Sequence, residues 1–151
     1  IAKNLAGKTI TVSVPYGAEG ETLVTFYNRI KRGIIKVCKT VQTGSLDALG
    51  MTDFSFNVSV NNGQPFVVGP IKNGECVLAP GDYPVLNSMG NPTTVFIQEQ
   101  PVAGVVVTDI TYQGNGTNVA NTLCGRTTQY ELGAGVNIST FVNAKGVPQQ
   151  C

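Results

Sequence analysis

Residues 33–41 read GIIKVCKTV, and this stretch decides how the chain folds. In an extended chain alternate residues face the same side, so Ile35, Val37 and Lys39 share one face. β-Branched residues fill much of the stretch, and such residues favour strands. The pattern therefore predicts a β-strand whose apolar face also carries a lysine.

Short runs of the same kind recur along the chain, separated by clusters of Gly, Pro and Asn, as in β-sandwiches. No segment shows sustained helical periodicity, and residues 45–51 fit either a short helical turn or a loop. We therefore predict an all-β, antiparallel sandwich. The predicted strands are residues 8–14, 22–27, 33–41, 52–60, 64–68, 75–78, 94–98, 105–112, 127–132 and 137–143.

The composition argues against an enzyme and against nucleic-acid binding. The 151 residues include no His, which excludes Ser-His-Asp and Cys-His catalysis and His-containing zinc sites. Net charge is +1 with 13% charged residues, whereas neutralising phosphates requires clustered Lys and Arg. Nine scattered acids single out no pair for a carboxylate-only enzyme. We expect no catalytic residues, metal or cofactor, and no nucleic-acid partner.

Cysteine usage indicates an oxidising compartment. Cys38, Cys76, Cys124 and Cys151 are widely spaced and form no CxxC pair, which is typical of disulfides rather than of a zinc site. Of the three pairings, we favour Cys38–Cys76, because Cys38 should point away from the Lys39 face, together with Cys124–Cys151.

Other features agree with a secreted, extracellular chain. No apolar run is long enough to span a membrane, so no membrane insertion is expected, and a first residue other than Met suggests a processed chain. Three Asn-X-Ser/Thr sequons, at Asn57, Asn115 and Asn137, are candidate glycosylation sites.

The two ends of the chain resemble each other. Residues 5–9 (LAGKT) match residues 123–127 (LCGRT), and residues 25–28 (TFYN) match residues 140–143 (TFVN), at offsets of 115 to 118 positions. That offset is about the size of one sandwich domain.

We accordingly divide the chain into three parts. Residues 29–146 form the sandwich, and residues 1–28 form an extra N-terminal β-hairpin or donor strand. Residues 147–151 form a tail held by Cys151.

A surplus β-element must pair with something, because an isolated hairpin is only marginally stable in water. The first hypothesis is donation of Leu23, Thr25, Phe26 and Asn28 to a neighbouring copy of the chain by strand addition. Repeated head to tail, such a contact does not close and yields a filament. A slice through a tandem array and chance similarity of two hairpins are the alternatives.

The chain resembles the Cna B-type repeats of bacterial surface proteins, pilins and adhesin stalks. Their first strand, with alternating apolar residues and then Lys, is similar to residues 33–39 (GIIKVCK). A central segment with Glu, Pro and Gly matches residues 97–104 (IQEQPVAG). The closing strand, which ends in Asn, matches residues 141–143 (FVN) and again residues 26–28 (FYN). The resemblance implies a prealbumin-like, Ig-like sandwich.

In such domains Lys and Asn on adjacent strands can form an intramolecular isopeptide bond. The resemblance therefore implies Lys39 as nucleophile, Glu99 as proton shuttle and Asn143 as acceptor, with Asn28 as the alternative acceptor on a donated strand. Burial would lower the pKa of the Lys39 amine, and a protonated Glu99 would polarise the Asn143 amide.

Two functions follow from the sequence. The favoured one is a structural subunit of an extracellular microbial filament or surface stalk, built head to tail from copies of itself. The alternative is an adhesin or carbohydrate-binding module, with glycans as candidate partners. The absence of Trp counts against a sugar-stacking platform.

Overall fold

A computed structural model describes residues 2–4, 6–13 and 22–147 of the chain. Predictions that involve residues 1, 5, 14–21 and 148–151, including those for Cys151 and the C-terminal tail, lie outside the described residues.

The described chain is almost entirely β-structure. A 3₁₀ turn (Thr43–Ser45) leads into a single helical turn, α1 (Leu46–Leu49), which settles the ambiguous segment as helical. The strands are β1 (Ala2–Asn4), β2 (Thr9–Thr11), β3 (Arg32–Val41), β4 (Phe54–Val60), β5 (Phe66–Ile71), β6 (Cys76–Leu78), β7 (Tyr83–Pro84), β8 (Thr94–Glu99), β9 (Val105–Gln113), β10 (Thr117–Thr122), β11 (Thr127–Glu131) and β12 (Gly135–Lys145).

Two sheets face each other and form the predicted sandwich. One has the strand order β10-β11-β8-β4-β5, and the other has the order β6-β3-β12-β9 with β7 also paired to β3. The sandwich is not purely antiparallel, because β12 runs parallel to β3 while it pairs antiparallel with β9. The strands β1 and β2 form a separate hairpin, which confirms the extra N-terminal β-hairpin.

The core follows from the alternation of apolar residues. Ile35 and Val37 of β3 are fully buried, and Phe56 of β4 packs against Phe141 of β12 with ring centroids 4.9 Å apart. Lys39 continues the inward-facing series of β3 and is only 1% exposed. The strand that carries the apolar face therefore also places a lysine inside the sandwich.

The Cys38–Cys76 disulfide is present, as the sequence favoured. Cys38 lies opposite Cys76 in the antiparallel pairing of β3 with β6. Because side chains alternate along β3, the disulfide lies on the side of the sheet away from Lys39. The disulfide thus joins β3 to β6 on the outer side of the sheet and takes up no space in the core.

One predicted strand is absent from the structure, and three observed strands were not predicted. Residues 22–31 form no strand, although the sequence predicted one at 22–27. The structure also has β10, which the sequence missed because the run TNVANT is exposed along its whole length and therefore lacks alternation. The short strands β1 and β7 were missed as well. Within the described residues, no helix is long and apolar enough to cross a membrane.

Candidate cross-linking site

The strands β3 and β12 bring Lys39 and Asn143 onto one face of the same sheet. In their parallel register Lys39 lies opposite Phe141, two residues before Asn143. Because residues two apart share a face, the lysine and the asparagine both point into the sandwich. Both side chains are buried, at 1% and 0% exposure.

Glu99 reaches the same place from the facing sheet. It is the last residue of β8 and is fully buried. Its Oε2 accepts a hydrogen bond from Lys39 Nζ at 2.7 Å, and its Oε1 accepts one from Asn143 Nδ2 at 2.7 Å. The structure therefore brings together the three residues that the sequence singled out, with Glu99 in the middle.

Arg126 is a fourth member of this cluster, and the sequence analysis missed it. It lies in the turn between β10 and β11, with a positive φ of 59°. Its Nη1 donates to Glu99 Oε1 at 2.9 Å, and its Nη2 donates to the Val105 carbonyl. The match of LAGKT to LCGRT aligns Arg126 with Lys8, but it gives no reason to place Arg126 beside Glu99.

The cluster places two cationic side chains around one carboxylate in a space sealed from water. Burial lowers the pKa of Lys39 from 10.5 to about 8; Glu99 opposes this shift, and Arg126 adds to it. Since a guanidinium does not lose its proton in proteins, Arg126 remains the permanent partner of Glu99. Lys39 is the group that is able to give up its charge.

The Lys39 ammonium also lies 4.1 Å from the centroid of the Phe54 ring. A ring face attracts the charged ammonium, while the same apolar surface excludes water from the amine. This contact fixes the position of the amine between the aromatic ring and Glu99.

These positions suit amide formation between Lys39 and Asn143. A proton would pass from the Lys39 ammonium to Glu99, and the neutral Nζ would attack Asn143 Cγ. Glu99 would give this proton to Nδ2, the Cγ–Nδ2 bond would break and ammonia would leave, while the second proton displaced from Nζ would pass to Glu99. The ion pair and the primary amide would thus become a new amide, ammonia and a protonated Glu99, so atoms and charges balance.

The side-chain carbonyl of Asn143 has no hydrogen-bond partner among the described residues. Among the described residues Asn143 Oδ1 is one of three buried side-chain atoms without a partner, and such atoms are uncommon in folded proteins. A half-turn of the amide would bring Oδ1 to Glu99, which is a donor once it holds the Lys39 proton. The carbonyl oxygen on which charge develops during attack would then be stabilised.

The alternative acceptor and the rest of the donor segment lie elsewhere. Asn28 is exposed, and it belongs to residues 22–31, which have no strand partner among the described residues. Leu23 is 85% exposed and Phe26 is 58% exposed, and Thr25 is exposed as well. The structure therefore brings Asn143, and not Asn28, to Lys39 and Glu99.

The three sequons differ sharply in accessibility. Asn115 is exposed, and Asn57 is partly buried, with its Oδ1 accepting a hydrogen bond from Gln100. Asn137 is fully buried, donates to the Gly133 carbonyl at 2.8 Å and accepts from the Tyr112 hydroxyl at 2.6 Å. The structure contradicts Asn137 as a glycosylation site on the folded chain, because a glycan has no room there.

Comparison with solved structures finds a similar fold in a bacterial adhesin. A bacterial adhesin from Mobiluncus mulieris matches 78% of this chain with a TM-score of 0.55 and 18% sequence identity. The same adhesin in a second crystal form matches with a TM-score of 0.50. The fold is shared with this bacterial adhesin. This confirms, for the fold, the expected resemblance to surface-protein domains.

That adhesin contains intramolecular disulfide, isopeptide and ester bond cross-links. The match covers 42% of the adhesin, so this chain spans less than half of its length. A pilus-presented adhesin, Spy0125 (Cpa), matches 75% of this chain with 14% identity, but its TM-score of 0.46 is too low to carry an argument. No family model matches the chain, and no curated protein sequence matches it.

Proposed function

We propose that this protein is a non-enzymatic structural module of an extracellular microbial stalk or filament, whose sandwich is locked by an amide bond between Lys39 and Asn143. The observation that carries the proposal is the buried cluster in which Glu99 accepts hydrogen bonds from both side chains at 2.7 Å. A lysine, a glutamate and an asparagine sealed in a core are costly to desolvate, so their presence calls for a compensating role.

The location of the cross-links supports a mechanical role. The amide bond would join β3, near the start of the sandwich, to β12, near its end, and these two strands lie side by side. The disulfide joins β3 to β6 on the opposite face of the same sheet. A pulling force applied to the ends of the sandwich would therefore pass through β3 and β12. It would bypass β4–β11, which lie between these two strands in the sequence.

Three further parts of the proposal concern assembly and surroundings. The protein acts outside the cell, at the microbial surface, in agreement with its disulfide and with the fold that it shares with bacterial adhesins. Chains are arranged head to tail, and residues 1–28 pair with the next sandwich along the stalk. Asn115, which is exposed, is a site where a glycan fits.

Intact mass measurement of the reduced protein tests the amide bond. We expect the mass to be lower than the sequence mass by one ammonia molecule, and fragment spectra to show residues 39 and 143 joined. Lys39→Met, Glu99→Gln and Asn143→Ala should each restore the full sequence mass. Lys36→Met is the matched control, because Lys36 lies on β3 but faces away from the cluster, and it should leave the ammonia loss intact. An unlinked wild-type chain would refute the bond.

Single-molecule pulling tests the mechanical role. With the disulfide reduced, force applied to both ends of the linked protein should not extend the segment between residues 39 and 143, whereas Asn143→Ala should let this segment unfold and extend. Electron microscopy of protein from its native surface tests the assembly. Isolated monomers there would contradict a stalk or filament.

A further inference from the structure

The N-terminal hairpin repeats the geometry of the β10–β11 hairpin, and not only its sequence. Asn4 pairs with Thr9, just as Thr122 pairs with Thr127 at an offset of 118. The next two pairs along each hairpin also correspond, at the same offset. The turn residue Lys8 has a φ of 55°, and its counterpart Arg126 has a φ of 59°. The two hairpins share one pairing register, and each has a residue in the left-handed conformation at the same position of its turn. They are therefore structural copies.

The residues that would face a core also correspond. In β11 the buried residues are Thr128 and Tyr130, and their counterparts at the same offset are Ile10 and Val12. In β12 the buried residues include Ser139, Phe141 and Asn143. At an offset of 115 these three correspond to Val24, Phe26 and Asn28.

The counterpart of β12 has no strand beside it among the described residues. Phe141 is fully buried, whereas Phe26 is 58% exposed, and Val24 is 38% exposed. β12 lies between β3 and β9 and packs on the facing sheet, which accounts for the burial of its inward side chains. Residues 22–28 therefore have the side chains of a central strand without the neighbouring strands that such a strand requires.

Two polar members of the cluster are repeated as well, since Lys8 corresponds to Arg126 and Asn28 corresponds to Asn143. A cleft of about 280 Å³ is lined by the N-terminal hairpin and residues 25–28, with Lys8, Phe26 and Asn28 on its walls. In the sandwich of residues 32–145, the counterparts Arg126 and Asn143 contact the Glu99 carboxylate, and the counterpart Phe141 lies two residues before Asn143 on β12. The cleft thus has an ammonium, an amide and an aromatic ring where a buried carboxylate would fit.

We infer that the N-terminal hairpin and residues 22–28 are the closing hairpin and closing strand of a second β-sandwich, and that their partner is a pair of sheets equivalent to β3–β9 with a carboxylate in the place of Glu99. The inference gives the head-to-tail contact of the proposed function a defined partner, and it rests on that contact.

The partner must lack its own closing strands. In the sandwich described above, β12 occupies the place between β3 and β9, and β11 occupies the place beside β8. Another complete sandwich could accept residues 2–28 only after releasing these strands and exposing its core. A sandwich without them accepts the segment by direct pairing, as in strand addition to an open sheet.

A fused chain tests this inference with the full protein retained. Residues 29–118 are placed directly before Ile1, so that the offset of 118 brings the hairpin into register. Amides of residues 23–28 should exchange rapidly with deuterium in the original chain and as slowly as those of residues 138–143 in the fused chain. Rapid exchange of residues 23–28 in the fused chain would overturn the inference.

Two matched variants of the fused chain test the register. Phe26→Asp puts a charge at the inward position and should abolish the protection, whereas Tyr27→Asp lies at the outward position and should preserve it. Equal protection in the two variants would overturn the assignment. The ammonia loss at Lys39 and Asn143 is measured in the same sample, so failure of the proposed amide bond is distinguished from failure of this pairing.

Discussion

The two copies of the closing unit have similar sequences and different environments. In the C-terminal copy, TFVN forms part of β12, and its phenylalanine and asparagine are fully buried. In the N-terminal copy, TFYN forms no strand, and its residues are exposed. The hairpins, whose hydrogen bonds are local, form in both copies. Local pairing is thus encoded in each copy, whereas the closing strand depends on sheets supplied by the rest of a sandwich.

The largest expected contrast is between the two asparagines. Asn143→Ala should remove the ammonia loss and lower the free energy of unfolding by about 5 kcal/mol, the chain-entropy value for a cross-link that closes a loop of about 100 residues. Asn28→Ala should keep the ammonia loss and change stability by less than about 0.5 kcal/mol, as expected for an exposed residue. Intact mass and urea unfolding measure both effects. Equal effects of the two substitutions would mean that the copies are equivalent.

The sequence could predict the sandwich and three of the four cluster residues, because both depend on short-range patterns. Alternation placed Lys39 on the apolar face of β3, and the resemblance to surface-protein repeats pointed to Glu99 and Asn143. The same reasoning predicted a strand at residues 22–27, where alternation is present but partner strands are not. Alternation reports what a segment would bury; it does not report whether a partner is there.

Arg126 and β10 escaped prediction for a different reason. The contact between Arg126 and Glu99 depends on a left-handed turn residue and on the register of β11 with β8, and neither leaves a periodic signal. Strand β10 is exposed throughout and, among the described strands, pairs only with β11. Such edge strands have no buried face, so their sequences lack the pattern by which strands are recognised.

The two phenylalanines give the next largest contrast. Phe141→Ala should cost about 3–5 kcal/mol, because it leaves a cavity beside Phe56 in a close-packed core. Phe26→Ala should change stability by less than about 0.5 kcal/mol, since Phe26 lies outside that core. Urea unfolding in the Asn143→Ala background compares them without the cross-link. A large loss with Phe26→Ala would show that residue 26 packs against this same sandwich.

Arg126 and Lys8 are the corresponding cationic turn residues of the two hairpins, and they should differ mainly in how they affect the cross-linking rate. Arg126→Ala removes one of the two positive charges beside Glu99, and with it a contribution that lowers the pKa of Lys39. The pH at which cross-linking reaches half its maximal rate should therefore rise, as followed by ammonia loss after cell-free synthesis. Arg126→Lys should largely restore the wild-type profile, because it retains the charge.

Lys8→Ala is the matched control for Arg126→Ala. It changes the corresponding turn residue of the N-terminal copy and should leave both the rate and its pH profile unchanged. If Arg126→Ala lowered the rate equally at every pH, Arg126 would have a structural role in the turn and no electrostatic role at Lys39.

The smallest expected effect is a pH dependence that only the unlinked sandwich shows. Asn143→Ala leaves Lys39 as a buried amine with a pKa of about 8, against 10.5 for a lysine side chain in water. Between these values the unfolded chain binds more protons than the folded chain, so the free energy of unfolding should rise as the pH increases from about 8 to 10.5. Below this window the desolvation penalty of the buried ammonium is present in full, and above it the penalty disappears. Urea unfolding across the window, compared with Asn143→Ala/Lys39→Met, isolates this contribution from the other groups that titrate there. A slope that survives in the double variant would assign the effect to residues other than Lys39, and the buried amine would then not be the group that loses its proton.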